Sequence, residues 1–201
     1  MYVRKRFRRK KRYNLERQIR FALEKKRLSC VIVGHKNRLP KAMEHLFSLH
    51  EKRATQREIE STFISHEVKH FHQLFSSLML EKDALRLCFL YDGDAPTSAL
   101  YAFKHNGTML FFQSGMDPAW TTMSVGSILL NLVIKQAFDE SLMEFDFLKG
   151  DEAYKRSWSN SERRQYRLTL YRKDFPGTFL FMRELFRSYV RKAFSPWHGG
   201  K

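Results

Sequence analysis

Four stretches of the sequence carry side chains able to do chemistry. The first is His66-Glu67-Val68-Lys69-His70, which has the H-E-x-x-H pattern. On a helix that spacing sets two imidazoles on one face to hold zinc, with the glutamate as general base. Lys69 places a positive charge inside the motif, and no third ligand follows at a familiar spacing. A helix surface with His66, His70 and His72 partly solvated is the better reading, and no metal is expected. The second is Ser124-Val125-Gly126-Ser127, at the head of a helical pattern. Ser124 suits an N-cap, and Gly126 lets a ligand come close to the backbone. The unpaired N–H groups of a helix start attract anions such as a pyrophosphate. The third is Glu144–Leu148, where alternation turns Phe145 and Phe147 to one face and Asp146 to the other. A strand covered on both faces would bury that carboxylate, which is costly unless it is paired or used. The fourth, Gly150–Trp158, gathers two acids, the Tyr154-Lys155 pair and a tryptophan. Each of the last three also has a plain structural explanation: a capped helix, an Asp satisfied near a strand end, an amphipathic turn.

The elements that must position these residues follow from periodicity. Residues 4–27 read as a basic helical lead-in and Leu28–Val33 as a short buried strand ended by Gly34. Pro40 starts a helix with Met43, Leu46, Phe47 and His50 on one face. Residues 62–81 carry Val68, Phe71, Leu74, Phe75 and Leu78 at helical spacing. Three strands follow, Arg86–Tyr91, Ala99–Lys104 and Thr108–Gln113, joined by Asp92-Gly93-Asp94 and by the Asn106-Gly107 of a tight hairpin. After a loop over Ser114–Met123 comes a helix over Val125–Glu140, its core face marked by Leu130, Val133, Ile134, Ala137 and Phe138. Glu144–Leu148 is a fourth strand, and Tyr154–Trp158 a helical turn. Gln165–Arg172 alternates, with Tyr166, Leu168 and Leu170 on one face. A last amphipathic helix turns Met182, Leu185, Phe186 and Tyr189 inward and carries the stripe Arg183/Arg187/Arg191. The order specifies an α+β chain whose sheet is covered by helices.

The 201 residues favour one domain, and 43% apolar content is ample for a core. The net charge of +16 is uneven. Residues 1–27 hold thirteen Lys/Arg against two Glu, and the remainder is only mildly basic. Such an arm suits polyanions, whether tRNA or an anionic membrane face, and serves equally as a solvated helix. Cys30 and Cys88 lie in apolar runs without metal or disulfide spacing, which reads as two buried thiols in a reducing compartment. No apolar run approaches the ~18 residues of a membrane span, and no signal-peptide pattern opens the chain. A cytoplasmic location is expected.

The run Phe145–Trp158, FDFLKGDEAYKRSW, resembles the signature of CelD-type acetyltransferase domains, part of the GNAT superfamily and related to FemAB-type aminoacyl transferases. That group shows a D-F-x-x-G-x-x-x-Y-K-x-x-W-like stretch, and every fixed position is present. Upstream, QSGMDPAWTTMSVGSILLNLVIKQAF is similar to the group's glycine-containing loop and long helix. The likeness spans residues 13–172 and is specific within 110–158. Two positions depart from the pattern: Ser124-Val125-Gly126 replaces small-Pro-Gly, and Ser141 replaces a glycine. Relatives usually carry an additional N-terminal GNAT-like half, so the chain reads as a short or truncated member.

The resemblance implies the GNAT fold, a central mixed, mainly antiparallel sheet flanked by helices. It implies a basic lead-in over 1–27, an acyltransferase domain over 28–175, and a basic helix and tail over 176–201. Acetyl-CoA is the implied acyl donor, with Gln113, Ser114 and Gly115 along the pantetheine and Ser124, Val125, Gly126 and Ser127 at the pyrophosphate. Asp146 is the implied base, with Tyr154 and Lys155 assisting at the oxyanion or leaving thiolate. The implied acceptor is an amine or hydroxyl on a sugar, a cell-envelope precursor or a small amine. Two other functions fit the same residues. One is FemAB-like transfer from aminoacyl-tRNA bound by the arm and the arginine stripe, and the other is an inactive basic docking module.

Overall fold

In a computed structural model the described residues are 9–166 and 168–193, which fall into two compact units, Met1–Asn160 and Ser161–Lys201. The two units meet between Asn160 and Ser161.

The first unit is built on a five-stranded sheet in the order β1-β2-β3-β4-β5. The strands are β1 (Ser29–Ile32), β2 (Leu85–Asp92), β3 (Ala95–His105), β4 (Thr108–Met116) and β5 (Glu144–Asp146). The first four are antiparallel neighbours, and β5 runs parallel to β4. Asn106 and Gly107 both take positive φ (46° and 73°) in the turn between β3 and β4, as the tight hairpin requires. Strand alternation sorts the core into two layers. On one face Cys88, Leu90, Leu100, Ala102, Met109 and Phe111 pack with the helix α4 (Val125–Asp139). On the other, Leu87, Phe89, Ala99, Tyr101 and Phe103 pack with α2 (Leu39–Gln56) and the partly buried side of α3 (His66–Glu81). This covering of both faces makes β2 buried from Leu85 to Leu90.

The lead-in is part of this body. The helix α1 (Arg9–Arg20) continues through a wider turn over Phe21–Lys25, and Leu15 and Ala22 are buried in the α4-side core. Its periodicity buries a narrow stripe while the cations stay outside. Residues 1–8 of the expected arm lie outside the described residues.

Several expectations change. Cys30 is exposed, because β1 is an edge strand with an open face; only Cys88 is buried. The buried face of α3 is set one residue round from the apolar stripe. His72 and Ser76 are buried, while Phe71, Leu74 and Leu78 are exposed. Phe138 is half exposed, since Ala137 and Ile134 already fill the contact with the sheet.

In the second unit no described residue of 161–172 forms a strand, and Tyr166, Leu168 and Leu170 are exposed. Alternation alone does not make a strand; it needs a partner edge for its hydrogen bonds. The helix α6 (Phe175–Ala193) is present, but Met182, Leu185, Phe186 and Tyr189 are exposed rather than turned inward. One helix and an extended segment provide no second layer within that unit to bury them. Arg183 and Arg187 are exposed, and the Arg191 side chain lies outside the described residues.

Candidate active site

The sheet parts between β4 and β5. Pairing holds for Thr108↔Glu144, Met109↔Phe145 and Leu110↔Asp146 and then stops, while β4 runs on to Met116. A bulge explains where it stops. Ala102 pairs with Phe111 and Tyr101 with Gln113, so Phe112 is an extra residue in β4. Such a bulge bends its strand and sharpens the local twist. The backbone of residues 111–116 therefore faces an opening on its β5 side.

Three predicted residues line that free stretch. The Gln113 amide donates to Thr62 Oγ1 (2.8 Å), tying the loop before α3 to the strand. Ser114 Oγ accepts from Arg53 Nη1 at 2.5 Å. Gly115 has a structural task. A Cβ there would lie 2.4 Å from the His50 backbone nitrogen and 2.5 Å from the Leu49 carbonyl carbon, so glycine is what lets α2 lie on β4.

Beyond β4, a 3-10 turn over Pro118–Met123 is capped by Asp117 and leads to Ser124. Ser124 is left-handed (φ 55°) and makes no side-chain cap, so the expected N-cap is absent. Its carbonyl instead accepts from the N–H groups of Ser127 and Ile128. The first amides of α4, those of Val125 and Gly126, belong to the turn that lacks intrahelical partners. A Cβ on Gly126 would meet only Met116 Sδ, at an ordinary contact distance of 3.8 Å.

On the β5 side, Asp146 is half-buried and its Oδ1 accepts the Leu148 N–H at 2.7 Å. The short helix α5 (Ala153–Trp158) begins just past β5. Lys155 is buried; its Nζ donates to the Lys149 carbonyl (2.7 Å) and pairs with Glu152 Oε2 (3.0 Å). Gly150, at φ 131°, leaves room for this clamp, because a Cβ there would fall 2.7 Å from the Lys155 Nζ. Tyr154 rests edge-on against Phe147 (6.5 Å). Burial, and then the Glu152 carboxylate, push its phenol up to about 12, against the opposing charges of Arg53 and Arg57. Tyr154 is thus a protonated hydrogen-bond donor at neutral pH.

The structure gathers Ser114, Tyr154, Glu152 and Arg53 in one neighbourhood. Sequence reasoning missed Arg53, although a signal was present. The face Leu46, His50 continues at helical spacing to Arg53 and Ala54, placing an arginine on an apolar stripe. The H-E-x-x-H residues lie elsewhere. The His66 and His70 rings stack 6.3 Å apart beside a shallow groove that Glu44 and Glu51 also line. Among the described residues no cluster of three or more His, Cys, Asp or Glu is placed to hold a metal.

The mixed sheet thus parts beside the start of a long helix. Residues 9–156 match the acetyltransferase (GNAT) domain family, and the chain belongs to that family; it is an acyltransferase. Solved structures agree in fold. An aminoglycoside acetyltransferase from an uncultured soil metagenomic sample, in complex with trehalose, is 13% identical with a TM-score of 0.52, covering 75% of this chain and 99% of that one. The same enzyme in complex with sisomicin gives 0.50 at 14% identity, over 73% and 97% of the two chains. A GCN5-related N-acetyltransferase from Ralstonia eutropha JMP134 gives 0.51 at 14% identity, over 70% and 98%. Among curated proteins none matches the sequence significantly.

Proposed function

We propose that this chain transfers an acetyl group from acetyl-CoA to an amine or hydroxyl of a small acceptor such as an amino sugar or cell-envelope precursor. The observation that carries this reading is the parting of β4 from β5 beyond Leu110. The pantetheine arm would run along Gln113, Ser114 and Gly115, and Ser124–Ser127 would receive the phosphates. Those residues fit such a donor, because the strand edge is unpaired on that side and the first amides of a helix lack intrahelical partners.

In this scheme the acceptor nucleophile attacks the thioester carbon, the new C–N or C–O bond forms, and the C–S bond breaks. Asp146 takes the nucleophile's proton. The Tyr154 phenol donates to the departing sulfur, a task suited to a group that stays protonated. Lys155 positions Tyr154 through its hold on the 149–152 turn and adds positive charge near the leaving group. Much of the rate comes from holding the two substrates in register. The CelD-type affinity rests on Phe145–Trp158, and a cytoplasmic location is part of the same proposal.

The test is acetyl-CoA binding followed by turnover. A saturating ligand at a hundred times its dissociation constant adds about 2.7 kcal/mol, which at ~2–4 °C per kcal/mol raises the melting temperature by several degrees. Acetyl-CoA is expected to do so where ATP and pyrophosphate do not. Tyr154→Phe should then lower kcat for thiol release by roughly 10²-fold with little change in donor binding. An equal shift with every polyanion, or an unchanged kcat, would remove the donor cleft or the Tyr154 role respectively.

A further inference from the structure

The least settled charge in the cleft is Arg53. It sits on α2, reaches Ser114 on the unpaired part of β4, and faces Tyr154 and Glu152 from across the opening. Burial lowers its pKa, and Arg57 pushes the same way, while Tyr154 and Glu152 only partly offset them. A guanidinium carries five N–H donors. Within the described residues Arg53 makes a single side-chain hydrogen bond, from Nη1 to Ser114 Oγ. No carboxylate of the described residues lies within ion-pairing distance of it, and Glu152, whose charge acts on it, is held by Lys155 at 3.0 Å.

Arg86 of the same chain shows how a satisfied buried arginine looks. Its Nε and Nη2 grip the Glu140 carboxylate (3.1 and 2.8 Å), and its Nη1 donates to the Leu85 carbonyl (2.7 Å). Arg53 is half-buried and has no such carboxylate. Removing a charge from water without pairing it is costly, and the planar fork matches a carboxylate or phosphate in two-point fashion.

We infer that Arg53 is the recognition point for an anionic group on the acceptor, a carboxylate or a phosphate, making this enzyme selective for acidic amino compounds over polycationic ones. The inference rests on the acyl-transfer reading, in which the donor lies along the backbone of 113–115 and the acceptor enters from the α2 side, where the Arg53 side chain stands. The donor's own phosphates have their place at Val125–Ser127, on the helix start. A polycation such as sisomicin would meet Arg53 and Arg57 as like charges.

The experiment compares three matched amino sugars: glucosamine, muramic acid, which adds a carboxylate, and glucosamine 6-phosphate. Their binding to the full chain is measured calorimetrically with CoA present, at constant ionic strength. Wild type is set beside Arg53→Gln, Arg53→Lys and the exposed control Arg20→Gln. At least one acidic sugar should bind about tenfold or more tightly than glucosamine, the scale of a charged hydrogen-bond pair. Arg53→Gln should erase that preference, Arg53→Lys should keep part of it, and Arg20→Gln should keep all of it. Should Arg53→Gln fail to fold, the partial loss in Arg53→Lys carries the test. Which acidic sugar gains identifies the anion as carboxylate or phosphate. Equal binding of all three sugars overturns the inference. So does a preference that survives loss of Arg53, or a loss of CoA affinity in place of acceptor affinity. Arg53-dependent binding without any thiol release would sink the acyl-transfer reading alone. Transfer to glucosamine with no preference for the acidic sugars would sink this inference alone.

Discussion

Gly115 carries a packing task as well as the donor-binding role proposed for it. The sequence suggested that Gly115 lines the donor path, and the structure adds that its missing Cβ is where α2 rests on β4. Gly115→Ala should therefore destabilise the fold by roughly 1–3 kcal/mol, the usual cost of overpacking a tight contact. The melting temperature should fall by several degrees even with no ligand present. A variant that melts with wild type yet loses acetyl-CoA binding would mean that the glycine serves the ligand alone. Arg53 and Lys155 make the complementary point. Both are cations in the cleft, but Lys155 is bound to Lys149 and Glu152, while Arg53 keeps donors in reserve.

At the scale of elements, ends matter more than middles. The long helix α4 closes against Ser141, a non-glycine residue in the left-handed region (φ 59°), whose N–H returns to the Phe138 carbonyl. That conformation costs an L-residue with a Cβ roughly 1 kcal/mol. Ser141→Gly is expected to stabilise the protein by about 0.5–1 kcal/mol, read from denaturant midpoints at constant m. A destabilised variant would show that the serine side chain makes contributions outweighing the backbone strain. The neighbouring Glu140 is anchored by Arg86 and Lys104 (2.8 and 3.1 Å), so this corner of β2, β3 and α4 is held by charge as well as by packing.

For the molecule as a whole, buried imidazoles set the response to acid. Burial holds His45, His50 and His72 below the ordinary histidine value, Lys41 adding to the effect at His45. Among the described residues the Nδ1 of His72 has no hydrogen-bond partner. Protonating these rings is harder in the folded chain than in the unfolded one. Below the unfolded value of about 6.5 the unfolded chain binds more protons, so stability drops as pH falls through that value towards the lower folded ones. Glu140 acts lower down. Hydrogen bonding from Arg86 first, opposed by burial and reinforced by Lys104 and Gln136, holds its carboxyl at about 2. Its contribution is complete above the unfolded carboxyl value and is lost as pH falls towards about 2. Melting temperatures measured across pH should decline in both windows, and His72→Phe should flatten the upper one. A flat upper profile in wild type would mean that these imidazoles are solvated in the folded protein.

Local pattern was enough for much of this. Helical spacing located α2 and α4, alternation located β2, β3 and β4, and Asn106-Gly107 placed their hairpin, because each signal depends on neighbours a few residues apart. The Gly150–Trp158 composition likewise marked the turn that carries Tyr154. Where the pattern needed a distant partner it fell short. Alternation in 165–172 supplied no strand without an edge to join. The apolar stripe of α3 did not say which side meets the sheet, and Ser124 was a capping residue by type but left-handed in place. Arg53 joined the site only when α2 crossed β4, some sixty residues on. Whether a charge is satisfied depends on which groups come within about 4 Å of it. The chain order does not contain that distance; packing of helix on sheet decides it.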